Sequence, residues 1–212
     1  MHRLAGEALM KLIADGLACS RGGRRLFSGL SFTVAEGETL LLTGPNGAGK
    51  TTLIRTIAGL LQPAGGSVRI EGGRHDGSVG EQCHYVGHLN AIKSSLSVEA
   101  NAAFWCGFLG GGRDRIPGAL EAFGLGPLRD IPAGYLSAGQ KRRLGLARVL
   151  LVDRPIWLLD EPTVSLDTAA QEVLTRAVGA HLATGGLVIA ATHVALGFAG
   201  ARTLPLGQSG AA

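Results

Sequence analysis

Apolar and polar positions along this chain fall into short stretches punctuated by glycine, with a few unbroken apolar runs between them. Residues 11–18 and 25–35 read as two short strands on either side of a Gly22-Gly23 turn. The run TLLLT at 39–43 ends in glycine and predicts a strand buried on both faces. A helix is predicted from 50 to about 60, closed by Gln62-Pro63. Residues 67–71 and 83–87 are further strand candidates. The middle of the chain then changes character. Ser97 predicts an N-cap, with Glu99 in the first turn of a helix running to Gly110. Pro117 suits the first turn of a second helix ending near Gly124, and a third begins at Ser137 and runs to about Val152. PIWLLDE at 155–161 is an apolar strand ending in acids; a helix at 168–183 and the strand LVIAAT at 187–192 follow. Strands alternating with helices predict an α/β fold, interrupted by an all-helical insert from about 90 to 150.

Composition changes this picture in only a few places. The chain has 212 residues, 46% hydrophobic and 17% charged, which suits one globular domain over 10–212 and argues against disorder. Residues 1–9 precede a second methionine, Met10, and read as an upstream extension or a misassigned start. The net charge of +4 comes without a long basic run, and two tryptophans and two tyrosines leave little for stacking on bases. Nucleic acid is therefore not an expected partner, whereas a mildly cationic surface suits anionic lipid headgroups. Cys19, Cys83 and Cys106 match no zinc or redox spacing and favour a reducing compartment. Residues 177–201 lack Asp, Glu, Lys and Arg, but His181, His193 and Gly185-Gly186 divide them into helix end, turn and buried strand. Any membrane role is expected to come through a partner.

The candidate chemistry starts at Gly44-Pro45-Asn46-Gly47-Ala48-Gly49-Lys50-Thr51, which fits G-x-x-x-x-G-K-[ST] between an apolar strand and a helix. Glycines let the backbone wrap closely, so its N–H groups and the helix N-terminus face phosphates. Lys50 is expected on the β/γ oxygens of ATP, the Thr51 hydroxyl on Mg²⁺, and Thr52 on the α-phosphate. Lysine is scarce here, four of 20 basic residues, which makes Lys50 more telling than a lysine usually is. Asp160 and Glu161 emerge at the end of a buried strand. Asp160 is expected to orient the metal and Glu161 to polarise the attacking water. A simpler reading of each feature exists, as a glycine turn before a helix and as two solvated acids, and their combination displaces both.

Leu136-Ser137-Ala138-Gly139-Gln140 closely resembles the signature motif of ATP-binding cassette proteins. Ser165-Leu166-Asp167 is similar to that family's D-loop, and His193 stands where its switch histidine does. The resemblance spans essentially the whole chain. It implies a P-loop NTPase fold of ABC type, with a mainly parallel core sheet, an N-terminal antiparallel β subdomain and a helical insert. It implies also that Ser137 and the N–H groups of Ala138 and Gly139, at a helix start, close over ATP held by another cassette. Two copies stacked head to tail then form two composite sites, with Asp167 at the interface and His193 against the γ-phosphate.

Two positions depart from the family pattern. His88 stands where a Q-loop glutamine is expected, and its charge state would add pH dependence. No adenine-stacking aromatic occurs near residue 21; Arg21 either stacks on the base as a planar cation or stands in a solvated turn. The segment at 87–97 (GHLNAIKSSLS), LFSGLSF at 26–32, LSAGQ followed by Arg142-Arg143, and Asn101 with Phe104 resemble the cytochrome c maturation haem-exporter ATPases, although Ala100 replaces an expected acid. That resemblance implies a peripheral ATPase on the cytoplasmic face of the bacterial inner membrane, beside integral membrane permease subunits. Its ATP cycle would be linked to haem export or release of a haem-loaded chaperone, with no direct haem contact. Phe104, Trp105 and Phe108 are candidate anchors for the membrane partner, or pack the insert's own core. Other readings are an ATPase for lipid, metal or drug transport, a soluble cassette ATPase, and a regulatory nucleotide binder.

Overall fold

The Gly22-Gly23 pair turns the chain back on itself with both φ angles positive, 56° and 77°, the geometry that suits right-twisted hairpin strands. Strands β1 (Lys11–Arg21) and β2 (Arg24–Ala35) leave that turn antiparallel. The computed structural model describes residues 9–73, 77–192, 197–198 and 200–207. After β3 (Thr39–Thr43) come helix α1 (Lys50–Ile57), β4 (Gly65–Glu71) and β5 (Cys83–Val86). Next are α2 (Val98–Leu109), α3 (Arg115–Ala122), α4 (Ala138–Ala147), β6 (Ile156–Asp160) and α5 (Thr168–Ala183). Strands β7 (Leu187–Ala191) and β8 (Arg202–Pro205) follow.

The chain divides into two compact units. The first comprises residues 1–85, 155–161 and 178–212, the second 86–154 and 162–177. In the first, a three-stranded sheet has the order β2-β1-β4, and β1 runs antiparallel to both neighbours. A five-stranded sheet has the order β5-β6-β7-β3-β8, with parallel pairing from β6 through β8. Every residue of β6 and β7 is buried, which explains why both read as unbroken apolar runs. Leu53, Ile54 and Ile57 of α1 join Leu42, Ile156, Leu158 and Ile189 in one core. Full burial of each such side chain contributes roughly 1.5–3 kcal/mol.

The second unit is helical, and its helix ends obey local rules. Ser97 caps α2 by accepting from the Ala100 amide at 3.1 Å. Gly110 ends α2 in the left-handed region, with a Gly111 amide bond back to the Cys106 carbonyl at 2.8 Å. From the first turn of α2 the buried Asn101 side chain ties down the preceding loop, accepting from the Lys93 amide at 2.8 Å and donating to carbonyls of Lys93, Leu96 and Ser97. Two helices are shorter than their sequence pattern suggests. α1 stops at Ile57 because Gly59 turns left-handed and the Leu60 amide reaches back to the Arg55 carbonyl at 2.9 Å. α4 gives way after Ala147 to a tight 3₁₀ turn over Arg148–Leu150. β8 has no counterpart in the sequence reading. Among the described residues no helix is long and apolar enough to cross a membrane.

Candidate nucleotide site

In the first unit, β3 runs into a loop whose backbone only glycine tolerates. Gly44, Gly47 and Gly49 have φ of 130°, 82° and 101°. A Cβ on Gly44 would lie 2.3 Å from the Leu206 carbonyl oxygen, and one on Gly49 would lie 3.0 Å from Cε1 of Phe27. The loop is therefore held from two sides, by residues just after β8 and by β2. Gly49 leads directly into Lys50, the first residue of α1, and no acidic residue stands in that helix's first turn. The first N–H groups of a helix point outward and carry partial positive charge, so this is an anion cradle. The Lys50 side chain is buried and folds over the loop, its Nζ donating to the Gly44 carbonyl at 2.7 Å and the Pro45 carbonyl at 3.2 Å. Thr52 is buried two residues further on, and Asn46 and Gly47 lie exposed at the loop's outer bend.

Parallel pairing brings the end of β6 beside the start of α1. The Thr51 hydroxyl donates to Asp160 Oδ1 at 3.0 Å, and Asp160 is 1% exposed. A hydroxyl and a carboxylate so placed form a hard oxygen donor set of the kind that Mg²⁺ takes. Arg55, one turn along α1, donates to the Tyr85 hydroxyl. That bond, aided by the charge of Asp160, holds the guanidinium above its ordinary range. Glu161 follows with φ of 49°, a left-handed conformation for a residue with a side chain, while its amide donates to the Ala191 carbonyl at 2.9 Å. Such a backbone costs on the order of 1–3 kcal/mol and persists only where its surroundings impose it. The end of β7 thus sets where the second acid leaves the sheet. Thr192 is buried and its amide bonds to the Leu42 carbonyl; His193 lies outside the described residues. Arg21 is exposed at the end of β1, paired in register with Arg24.

In the second unit, the signature segment forms the start of α4. Ser137 caps the helix through a reciprocal pair: the Gln140 amide donates to Ser137 Oγ at 3.2 Å, and the Ser137 amide donates to Gln140 Oε1 at 2.8 Å. Leu136 is buried beneath, while Ser137 and Ala138 face solvent. A Cβ on Gly139 would lie 2.9 Å from the Ser165 carbonyl. Close packing therefore demands glycine at 139, whereas the exposed neighbouring position accepts the methyl of Ala138. Ser165 itself has φ of 66°. Asp167 caps α5, its Oδ1 accepting from the Ala170 amide at 2.8 Å. His88 is exposed just beyond β5.

The profile of the ABC transporter family matches residues 27–164. This chain belongs to the ABC transporter family. As an ABC ATPase it binds nucleotide and hydrolyses ATP, and its phosphate loop, acidic strand and signature all fall within or beside the matched span. It is 57% identical over 200 residues, 94% of this chain and all of the relative, to the cytochrome c biogenesis ATP-binding export protein CcmA of Rhodopseudomonas palustris strain BisB5. It is 55% identical to the CcmA of strain HaA2 of that species, across 89% of this chain and 94% of the relative. Among solved structures, an ATP-binding subunit of an ABC transporter superposes with a TM-score of 0.80 at 25% identity, covering 92% of this chain and 85% of that one.

Sequence reasoning missed two residues that shape this candidate site, and the direct bond between two that it named. Leu206 and Phe27 brace the loop; Leu206 lies in no motif, Phe27 stands in the stretch at 26–32 without a role read for it, and strand pairing places both. The Thr51–Asp160 bond joins residues 109 positions apart, so only the fold reveals it.

Proposed function

We propose that this chain is the ATP-hydrolysing subunit of a bacterial ABC complex for cytochrome c biogenesis, its ATP cycle coupled to haem export or release of a haem-loaded chaperone. The carrying observation is similarity that runs the whole length of an export protein of that name. In this reading residues 10–212 form one cassette, peripheral on the cytoplasmic face of the inner membrane. It works as a head-to-tail homodimer beside integral membrane permease subunits, without touching haem itself.

The residues act as follows. Lys50 exchanges the carbonyls of Gly44 and Pro45 for the β- and γ-phosphate oxygens of ATP, which supply stronger, charge-assisted acceptors. The loop amides from Asn46 to Thr52 cradle the same phosphates. Thr51 and Asp160 would hold Mg²⁺, which supplies neutralisation of the phosphate charge. Glu161 accepts a proton from the water that attacks the γ-phosphorus, as the bond to the β–γ bridging oxygen breaks and ADP and phosphate leave. His193 positions that water, His88 lines the γ-phosphate side, and Arg21 lies by the base. The partner's ATP is met by the Ser137 hydroxyl and the amides of Ala138 and Gly139, aimed where negative charge develops. Neither chain alone completes a site, and Asp167 lies where the two meet.

On the second unit, Phe104 and Phe108 are 58% and 71% exposed and stack one helical turn apart. Trp105 between them is held inward, its Nε1 bonded to the Ala91 carbonyl and its ring 4.3 Å beneath the Arg148 guanidinium. The two phenylalanines offer the permease an apolar anchor. The reading is tested in a strain lacking this gene. Such a strain should fail to accumulate c-type cytochromes, recover them with the wild-type gene, and not recover them with Lys50→Ala. Normal c-type cytochrome content in the deletion strain would overturn it.

A further inference from the structure

The helix that begins with the signature also holds two segments far apart in the chain, 87–90 and 162–165. Arg142, two residues beyond Gln140, is 3% exposed. Its Nη1 donates to the Gly87 carbonyl at 2.7 Å and to Asn90 Oδ1 at 3.2 Å. Its Nε donates to the Pro162 carbonyl at 3.2 Å. Gly87 immediately precedes His88, and Pro162 immediately follows Glu161. Two glycines of the same helix admit the same segments. A Cβ on Gly139 would meet the Ser165 carbonyl at 2.9 Å, and one on Gly145 would meet Asn90 Oδ1 at 3.1 Å. One helix therefore grips residues 87–90 and 162–165 at several points, with Arg142 at the centre.

We infer that Arg142 is a positioning residue that ties the signature helix to the backbone just before His88 and just after Glu161, so that a chain engaging its partner's ATP sets its own catalytic base. The inference rests on the reading of the composite site above. A guanidinium is suited to this because its planar fork presents several donors in fixed directions, whereas a lysine ammonium is a single point. Glu161 has its amide fixed by the Ala191 carbonyl, and Arg142 holds the Pro162 carbonyl, one residue beyond it. Movement of α4 is passed to that peptide through hydrogen bonds rather than through a flexible loop. The Arg142 side chain is distant in chemistry from phosphate, since the acceptors named are protein oxygens, and its loss should therefore spare nucleotide binding.

The test uses the full chain carrying Arg142→Lys, which keeps the buried charge but not the fork, and Arg142→Met. MgATP affinity of both should stay within about twofold of wild type, while kcat falls by about tenfold or more, the effect of losing one strong transition-state interaction. The Hill coefficient for ATP should drop towards one, because the two sites no longer inform each other. An Arg142→Lys protein with wild-type kcat and Hill coefficient overturns the proposal. So does one that fails to fold or loses affinity and turnover in parallel, since Arg142 would then serve only the fold. Lys50→Ala is run alongside. If it hydrolyses ATP normally, the site reading itself fails; if it is inactive while Arg142→Lys behaves as wild type, only the inference about Arg142 fails.

Discussion

Replacing Gly49 by alanine adds one methyl group where the phosphate loop meets α1. Two costs follow from the geometry. The backbone at φ 101° is one that residues with side chains rarely adopt, which costs on the order of 1–3 kcal/mol. The new Cβ would lie 3.0 and 3.1 Å from the Phe27 ring and 3.3 Å from Leu26 Cβ. Phe27 is only 6% exposed, within the packed core, so overpacking adds about 1–3 kcal/mol. Gly22→Ala is the control: it too has positive φ, 56°, but nothing lies within 4 Å of its Cβ, leaving a backbone cost of about 1–2 kcal/mol. For a chain of this size each kcal/mol shifts Tm by about 2–4 °C, so Gly49→Ala should melt about 2–12 °C below Gly22→Ala from the contact alone. Differential scanning calorimetry with and without MgATP measures both halves of the argument. ATP at about 100 times Kd stabilises a binding-competent fold by ~2.7 kcal/mol, and this gain should survive in Gly22→Ala and shrink or vanish in Gly49→Ala. Equal melting temperatures and equal ATP-induced shifts in the two variants would refute the idea that Phe27 shapes the loop.

Glu161→Gln keeps the carboxylate's shape without its basicity; ATP should still bind, turnover should fall by about 10²-fold or more, and gel filtration with MgATP should show a trapped dimer. A variant with wild-type turnover excludes Glu161 as the base. Ser137→Arg should leave nucleotide binding intact by fluorescence titration yet prevent ATP-induced dimers, and dimers formed by that variant would argue against a composite site. Glu38 accepts from the Ala35 amide and from Arg202, both at 2.9 Å; chiefly through the Ala35 bond, its carboxyl is held below the ordinary value of 4.5. A depressed carboxyl stabilises the fold above pH 4.5 and loses that contribution as pH falls through its lower folded value. The urea midpoint of Glu38→Gln should therefore lie slightly below wild type at neutral pH, within the ~0–1 kcal/mol of an exposed pair, and the gap should close in acid. A gap that widens in acid contradicts the assignment.

The strands of the five-stranded sheet were readable where burial on both faces leaves an unbroken apolar signature, as in TLLLT and IWLLD. The end of the helix at 168–183 was legible from the Gly185-Gly186 pair that follows it, whereas the Asp167 cap at its start emerged only with the structure. β8 was not. It has only four residues, RTLP, with an exposed edge and a terminal proline, and it is a strand because β3 offers it a partner. The same distinction divides the site. The phosphate loop and the signature declare themselves in consecutive residues, since a turn and a helix cap are local structures. Arg142 reads as one of two arginines on a helix until tertiary packing brings the Gly87 and Pro162 carbonyls to it. Helix ends at Ile57 and Ala147 fell short of their apolar patterns because a left-handed glycine and a 3₁₀ turn redirect the chain within a residue or two.

The Leu206 amide bonds to the Thr43 carbonyl at 2.8 Å, and its own carbonyl presses against Gly44. During synthesis the phosphate loop thus leaves the ribosome long before the residues that shape its floor. Nascent chains should be blind to ATP until the segment around Leu206 has emerged and β8 has paired with β3.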